Sequence, residues 1–198
     1  HGCLLIKEVN RGEIMRVISG SLKGRNIKGF NIIGTRPTMD RIKESVFAML
    51  QDNVKDSICL DLFAGSGSMG IEAISNGAKL AYFVDNNVEV IKVIKDNVNN
   101  FNINSSTKII LGDYKKVLKT FVNDNLSFDL IFLDPPYNLN VVSDILSFIV
   151  NNNLLSKNGQ VICEIENNNL VNKYNNLILY KTKKYGSKII TIFRNTIE

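Results

Sequence analysis

Between residues 57 and 165, short apolar runs alternate with segments of helical spacing, and this alternation restricts the chain to few folds. The apolar runs are 57–62, 80–84, 107–111, 128–133 and 160–165, and the helical patterns between them are 69–76, 87–100, 114–123 and 139–150. Strands that are apolar throughout and separated by helices are buried on both faces, as in a parallel sheet with helices on each side. Crossovers between such strands are right-handed. Two further strand-like runs, 176–184 and 188–194, flank Tyr185-Gly186-Ser187, which has the composition of a hairpin turn. The expected fold is α/β, with a mostly parallel, Rossmann-like sheet ending in an antiparallel hairpin.

Upstream, residues 16–20 and 25–30 read as short strands around the turn Ser21-Leu22-Lys23-Gly24. Thr38 is a suitable N-cap for a helix over 41–50, where Ile42, Val46, Met49 and Leu50 share one side. Residues 1–14 show no periodicity and are read as a non-core extension ahead of Met15. The chain thus divides into that extension, a β-hairpin plus helix over 15–50, and a main domain over 51–198. Its 198 residues suit one sizeable core. No apolar run approaches the ~20 residues that cross a bilayer, and the opening stretch is too short for a signal peptide. We expect a cytoplasmic protein with no membrane contact. Cys3, Cys59 and Cys163 are odd in number and far apart, so neither disulfides nor a zinc site is expected. The single histidine is His1, which leaves no internal histidine to act as a base or metal ligand.

The net charge of +5 is unevenly placed. Residues 15–50 hold seven basic groups against two acids, whereas 1–14 balance at two of each sign and 51–198 at 15 of each. A basic segment beside a neutral body is an electrostatic footprint for a polyanion.

Asp61-Leu62-Phe63-Ala64-Gly65-Ser66-Gly67-Ser68-Met69-Gly70 follows the first strand of the main domain and opens a helix, with the spacing G-x-G-x-x-G. Glycines there allow a tight turn and close approach of backbone to a ligand. Asp85 ends the second strand 20 residues after Gly65, where a carboxylate can accept hydrogen bonds from ribose hydroxyls. A nicotinamide dehydrogenase also fits this pattern. Asp61 at the strand end leans away from it, because an acid disfavours a pyrophosphate and suits a cation. S-adenosylmethionine carries an amino group and a sulfonium and no phosphate. Asp113 ends the third strand, where it can meet an adenine amino group or cap the helix opening at Tyr114.

Asp134-Pro135-Pro136-Tyr137 follows the fourth strand. The two prolines end the strand and stiffen the loop. An exocyclic amino group on a base is a poor nucleophile because its lone pair is delocalised into the ring. The Asp134 carboxylate and the Pro135 carbonyl can accept its two N–H bonds and draw the nitrogen toward a tetrahedral geometry. Tyr137 can stack on the ring. A sulfonium methyl is already activated, so alignment and charge stabilisation are the main tasks.

The tetrad resembles the catalytic motif of class I amino-methyltransferases. Met15–Gly20, Lys23-Gly24-Arg25, and Arg36-Pro37-Thr38-Met39-Asp40-Arg41-Ile42-Lys43-Glu44 with Phe47 resemble the opening of the bacterial RsmD family, whose members are 16S ribosomal RNA (guanine-N2)-methyltransferases. The resemblance spans roughly residues 15–195. It implies a seven-stranded class I fold with an N-terminal hairpin. It implies S-adenosyl-L-methionine held by Asp61, Phe63, Ala64, Gly65, Gly67, Asp85, Asn86, Asp113 and Tyr114, with Arg36, Thr38, Arg41 and Glu44 at the cofactor entrance. It implies catalysis by Asp134, Pro135, Pro136 and Tyr137 without a metal. The implied product is N2-methylguanine at the 966-type position of 16S rRNA, made by a monomer acting on a small-subunit assembly particle. Arg16, Lys23, Arg25 and Lys28 are the expected RNA phosphate contacts. The same motif also serves DNA adenine or cytosine methylation and protein glutamine methylation. No segment here resembles a DNA target-recognition domain, and a basic hairpin suits a protein substrate poorly. A binding module that has lost activity would not be expected to keep both Asp134 and Tyr137.

Overall fold

The computed structural model describes residues 15–29, 36–136, 141–167 and 169–197, with backbone alone at 36–38. Residues 1–14 and Tyr137 therefore lie outside the described residues. Two short strands, β1 (Met15–Arg16) and β2 (Asn26–Ile27), pair antiparallel and precede helix α1 (Arg36–Leu50). The main domain then runs β3 (Ile58–Leu62), α2 (Ser68–Ser75), β4 (Leu80–Asp85), α3 (Val88–Asn100), β5 (Thr107–Leu111), α4 (Tyr114–Asn123), β6 (Phe128–Leu133), α5 (Val142–Asn151) and β7 (Leu155–Ile165). It closes with β8 (Lys173–Tyr174), β9 (Leu177–Tyr185) and β10 (Lys188–Asn195).

One sheet has the order β5-β4-β3-β6-β7-β10-β9-β8. Strands β3 to β7 pair in parallel, and β10, β9 and β8 are antiparallel. Alternate residues along each strand face opposite layers. Cys59, Phe83, Leu130, Phe132 and Ile162 pack under α1, α2 and α3. Leu60, Val84, Ile131, Leu133 and Cys163 pack under α4 and α5. This is the expected doubly covered α/β sheet. Cys59 and Cys163 are buried free thiols within it. No helix among the described residues is long and apolar enough to cross a membrane.

Four local expectations are corrected. Helix α1 starts at Arg36, so Thr38 lies inside the helix and does not cap it. Pro37 is tolerated because the first-turn N–H groups have no partner within a helix. The N-terminal strands are only two residues each, because the chain leaves them to pack on the helices. Strand β7 begins at Leu155, five residues early, since Asn158-Gly159 forms an irregularity within it rather than a boundary. The two-residue β8 makes the sheet eight-stranded, one more than implied.

The N-terminal arm is fixed by buried polar groups. Glu72 of α2 is fully buried, and its carboxylate accepts hydrogen bonds from the Ile18 and Ser19 backbone N–H groups and the Ser19 hydroxyl. It also pairs with the buried Lys43 ammonium at 3.3 Å, and Lys43 donates to the Arg16 carbonyl. Burial lowers the Lys43 pKa, and Glu72 works against that shift. Asn97 of α3 makes a second anchor, bonding both the N–H and the carbonyl of Lys28 and the carbonyl of Ser66 in the glycine-rich turn. The arm is therefore tied to the elements that shape the site. Removing one partner of a buried ion pair leaves an uncompensated charge. Glu72→Ala should lower unfolding stability by ~3–5 kcal/mol in urea titrations. Lys43→Met should cost less, because Glu72 keeps its three other donors.

Candidate active site

The chain builds β3, β4 and β5 outward in one direction, then returns to place β6 on the other side of β3. Loops leaving β3 and β6 therefore diverge and open a crevice at the strand C-termini, where open α/β sheets bind ligands. Both motifs emerge there. The row of strand ends reads Asp113 after β5, Asp85 on β4, the Asp61–Gly70 turn on β3 and Asp134 after β6.

The turn is shaped by backbone conformation. Gly65 and Gly67 have φ of 55° and 79°, in the left-handed region that glycine adopts without strain. A Cβ on Gly65 would meet nothing within 4 Å, so this face of the turn is open to a ligand. A Cβ on Gly70 would lie 2.4 Å from the Phe83 ring, so the third glycine serves helix–sheet packing. Phe63 adopts φ of 68° despite its bulk, a conformation that costs ~1–3 kcal/mol and gathers at functional sites. Its ring packs on Tyr114 with centroids 5.0 Å apart, forming an apolar wall next to Asp113. Ala64 is buried and donates its N–H to the Val84 carbonyl.

The carboxylates hold this geometry. Asp85 accepts from the Gly65 N–H at 3.1 Å with one oxygen and from the Asn87 N–H at 3.0 Å with the other. Asn86 beside it is exposed. Asp113 caps α4 by accepting from the Lys115 and Lys116 N–H groups through Oδ1. The cap reading of Asp113 is thus present, and Oδ2 takes no part in it. Asp61 is buried and accepts from the Gly70 N–H at 3.0 Å. Burial pushes its carboxyl up to about 8; the Gly70 bond opposes this, while Asp134 and Asp85 add to it.

Asp134 follows β6 opposite the end of β7, since Leu133 pairs with Cys163 and the next residues are Asp134 and Glu164. Pro135 is buried and Pro136 exposed. The Asp134 side chain is open at the cleft mouth, yet the enclosing protein pushes its carboxyl up to about 7, helped by Glu164 and opposed by Lys188. Lys188 at the start of β10 is hydrogen-bonded to Glu164. Burial disfavours the Lys188 ammonium, but Glu164, Asp134 and Glu166 outweigh it and raise its pKa. The Glu164–Lys188 pair was not legible in sequence, since only strand register brings the two beside Asp134. The resulting cleft is acidic and suits a cationic ligand. Among the described residues no cluster of acids, cysteines or histidines could hold a metal.

The N-terminal candidates are dispersed. Arg41 and Glu44 are exposed on α1, with no hydrogen bond to Asp61, Asp85, Asp113 or Asp134, and the side chains of Arg36 and Thr38 are not described. Arg16 pairs with Asp40 at 3.0 Å, and Lys28 with Asp96 at 3.1 Å. Arg25 donates to the Asn100 carbonyl at 2.6 Å and lies 4.5 Å over the Phe101 ring. Lys23 has no ion-pair partner among the described residues.

The model of the family described as conserved hypothetical protein 95 matches residues 15–194. The chain belongs to this family, the RsmD family. Within it, the chain is similar to the ribosomal RNA small subunit methyltransferase D of Haemophilus influenzae, at 32% identity over 93% of this chain and 95% of that protein. A solved Haemophilus influenzae structure described as a methylase is 30% identical, with a TM-score of 0.77 over 93% of this chain and all of that one. An RNA methyltransferase of Salinibacter ruber, solved with S-adenosyl-L-homocysteine, shares the fold at 12% identity and a TM-score of 0.61, over 84% of this chain and 95% of that one. The class I methyltransferase fold and the family are therefore as expected from sequence.

The raised Asp61 pKa has a consequence for stability. From its ordinary 3.8 up to about 8 the unfolded chain is ionised while the folded one keeps its proton. The folded state binds more protons, so stability falls as pH rises through that window. Asp61→Asn keeps an acceptor for Gly70 and removes the titration. In urea titrations of the ligand-free protein, its stability relative to the parent should rise steadily from about pH 5 to about pH 8. A pH-independent difference would contradict the assignment.

Proposed function

We propose that this protein transfers a methyl group from S-adenosyl-L-methionine to the exocyclic N2 amine of a guanine in 16S ribosomal RNA, at the 966-type position. The observation that carries the reading is the placement of Asp134-Pro135 across the β3/β6 crevice from the open face of Gly65. Methyl donor and amine acceptor then meet between two rigid strand ends. The relatives' names supply the RNA substrate.

The acidic crevice fits the donor, which supplies an electrophilic methyl on a sulfonium. A cation bound between Asp61, which holds α2 at Gly70, and Asp134 favours the ionised form of both carboxyls, so its binding draws off the proton that burial keeps on Asp61. Asp85, already ordering Gly65, keeps lone pairs for ribose hydroxyls. The Phe63–Tyr114 wall offers an apolar surface to a flat ring, and Asp113 Oδ2 an acceptor at its edge. On the other side, Asp134 and the Pro135 carbonyl accept the two N–H bonds of the amine, and Tyr137 stacks on the base. With the donor bound, its methyl would pass to the amine nitrogen as the bond to sulfur breaks, and the nitrogen would then shed a proton. Asp134 is placed to receive it.

Lys23 and the neighbouring Arg16, Arg25 and Lys28 border the substrate as phosphate contacts. The three that already have internal partners contribute through spare donors. The target guanine is reached unpaired or flipped out, since base chemistry needs the edge exposed. The proposal includes a monomeric enzyme that acts in the cytoplasm on a small-subunit assembly particle. Asp134→Ala should reduce methyl transfer to small-subunit RNA by about 10²-fold or more. Its affinity for S-adenosyl-L-methionine should stay within a few-fold. Undiminished turnover would remove Asp134 from the mechanism.

A further inference from the structure

The C-terminal hairpin carries a second concentration of positive charge. Residues 177–195 contain Lys181, Lys183, Lys184, Lys188 and Arg194 and no acid. The equal count over 51–198 conceals this, because the remainder of that segment is acidic. Lys188 is committed to Glu164, and Arg194 lies 3.7 Å over the Tyr180 ring. Lys181, Lys183 and Lys184 have no carboxylate partner among the described residues.

The position of these lysines is defined by register. Strand β8 covers only Leu177 and Ile178, so β9 from Tyr180 onward is the outer edge of the sheet. Lys183 pairs with Ile190 and Lys181 with Ile192, both isoleucines of the layer under α1, whereas Lys184 pairs with Ile189 and leaves the edge on the opposite face, so the three lysines flank the edge from both sides. Lys183 and Tyr185 reach the Ser45 hydroxyl on α1. The hairpin tip lies at the C-terminal end of the parallel strands, because Ile189 pairs with Ile165, the last residue of β7. The basic edge therefore runs up to the Asp134 side of the crevice, across α1 from the N-terminal arm.

We propose that this edge, through Lys181, Lys183 and Lys184, is a second RNA-contacting surface that holds the phosphate backbone flanking the target nucleotide. The inference rests on the reading that RNA is the substrate. Lysines on an edge strand also prevent sheet-to-sheet association. Edge protection does not account for where the charge ends, and an acid-free hairpin whose tip lies at the acceptor side of the cleft suits a polyanion.

The test uses the full chain and a labelled fragment of small-subunit RNA, titrated across a range of salt. For K181Q/K183Q/K184Q, affinity at low salt should fall about tenfold or more. The slope of log affinity against log salt should become shallower by about 2, near the ~0.7–0.9 expected per lost phosphate contact. K181R/K183R/K184R should bind like the parent. Circular dichroism reports folding, and the single glutamine variants give the same readout if the triple variant unfolds. Unchanged affinity and slope in the glutamine variant would overturn the inference; self-association on gel filtration in that case would mark the lysines as edge protection. A parent protein that binds the fragment without salt dependence, or not at all, would instead overturn the RNA reading on which the inference stands.

Discussion

The reversal of strand order between β3 and β6 is the constraint on which the rest depends. A parallel sheet whose chain runs outward and then returns must separate two neighbouring loops at the point of return. The glycine-rich turn occupies one lip and Asp134-Pro135 the other. In the proposed reaction neither motif acts alone, because the turn would hold the methyl donor and Asp134-Pro135 the acceptor amine. Packing on both faces makes this arrangement rigid, with α2 and α3 on one layer and α4 and α5 on the other. Alignment between the two lips is then a property of the core rather than of a mobile loop.

Acidity is the second organising feature. Asp61, Asp85, Asp134 and Glu164 converge; burial holds the Asp61 carboxyl well above its ordinary range, and at the cleft mouth the surrounding protein and Glu164 raise that of Asp134. A fold tolerates this when a cation relieves it, and Lys188 provides part of that relief on the acceptor side. The N-terminal arm is fixed to the same region by Glu72 and Asn97, so its basic residues keep a set relation to the crevice.

Much of this was legible from the residues. The spans 107–111, 114–123 and 128–133 match β5, α4 and β6, because continuous apolar strands and a clear helical period leave little ambiguity. The glycine turn was legible from spacing, since each glycine meets a distinct steric demand. The failures have physical causes. Thr38 has the chemistry of a cap, but Pro37 is equally at home in a first turn and the helix starts earlier. The Glu72–Lys43 anchor depends on contacts between residues far apart in the chain, although an acid within the apolar stretch Met69–Ser75 was a signal for a buried partner. Summing charge over a whole domain concealed the basic hairpin, which only the register of β9 against β10 reveals as one edge.

The proposed reaction is methylation of a specific guanine amine in small-subunit RNA. Mass mapping of methylated nucleosides tests it most directly, with unmodified small-subunit RNA or assembly particles incubated with this protein and S-adenosyl-L-methionine. The expected result is one new N2-methylguanine at a single site, absent with Asp134→Ala. Methylation of adenine, of cytosine or of a protein glutamine in place of guanine, or no methylation of either form of the substrate, would contradict it.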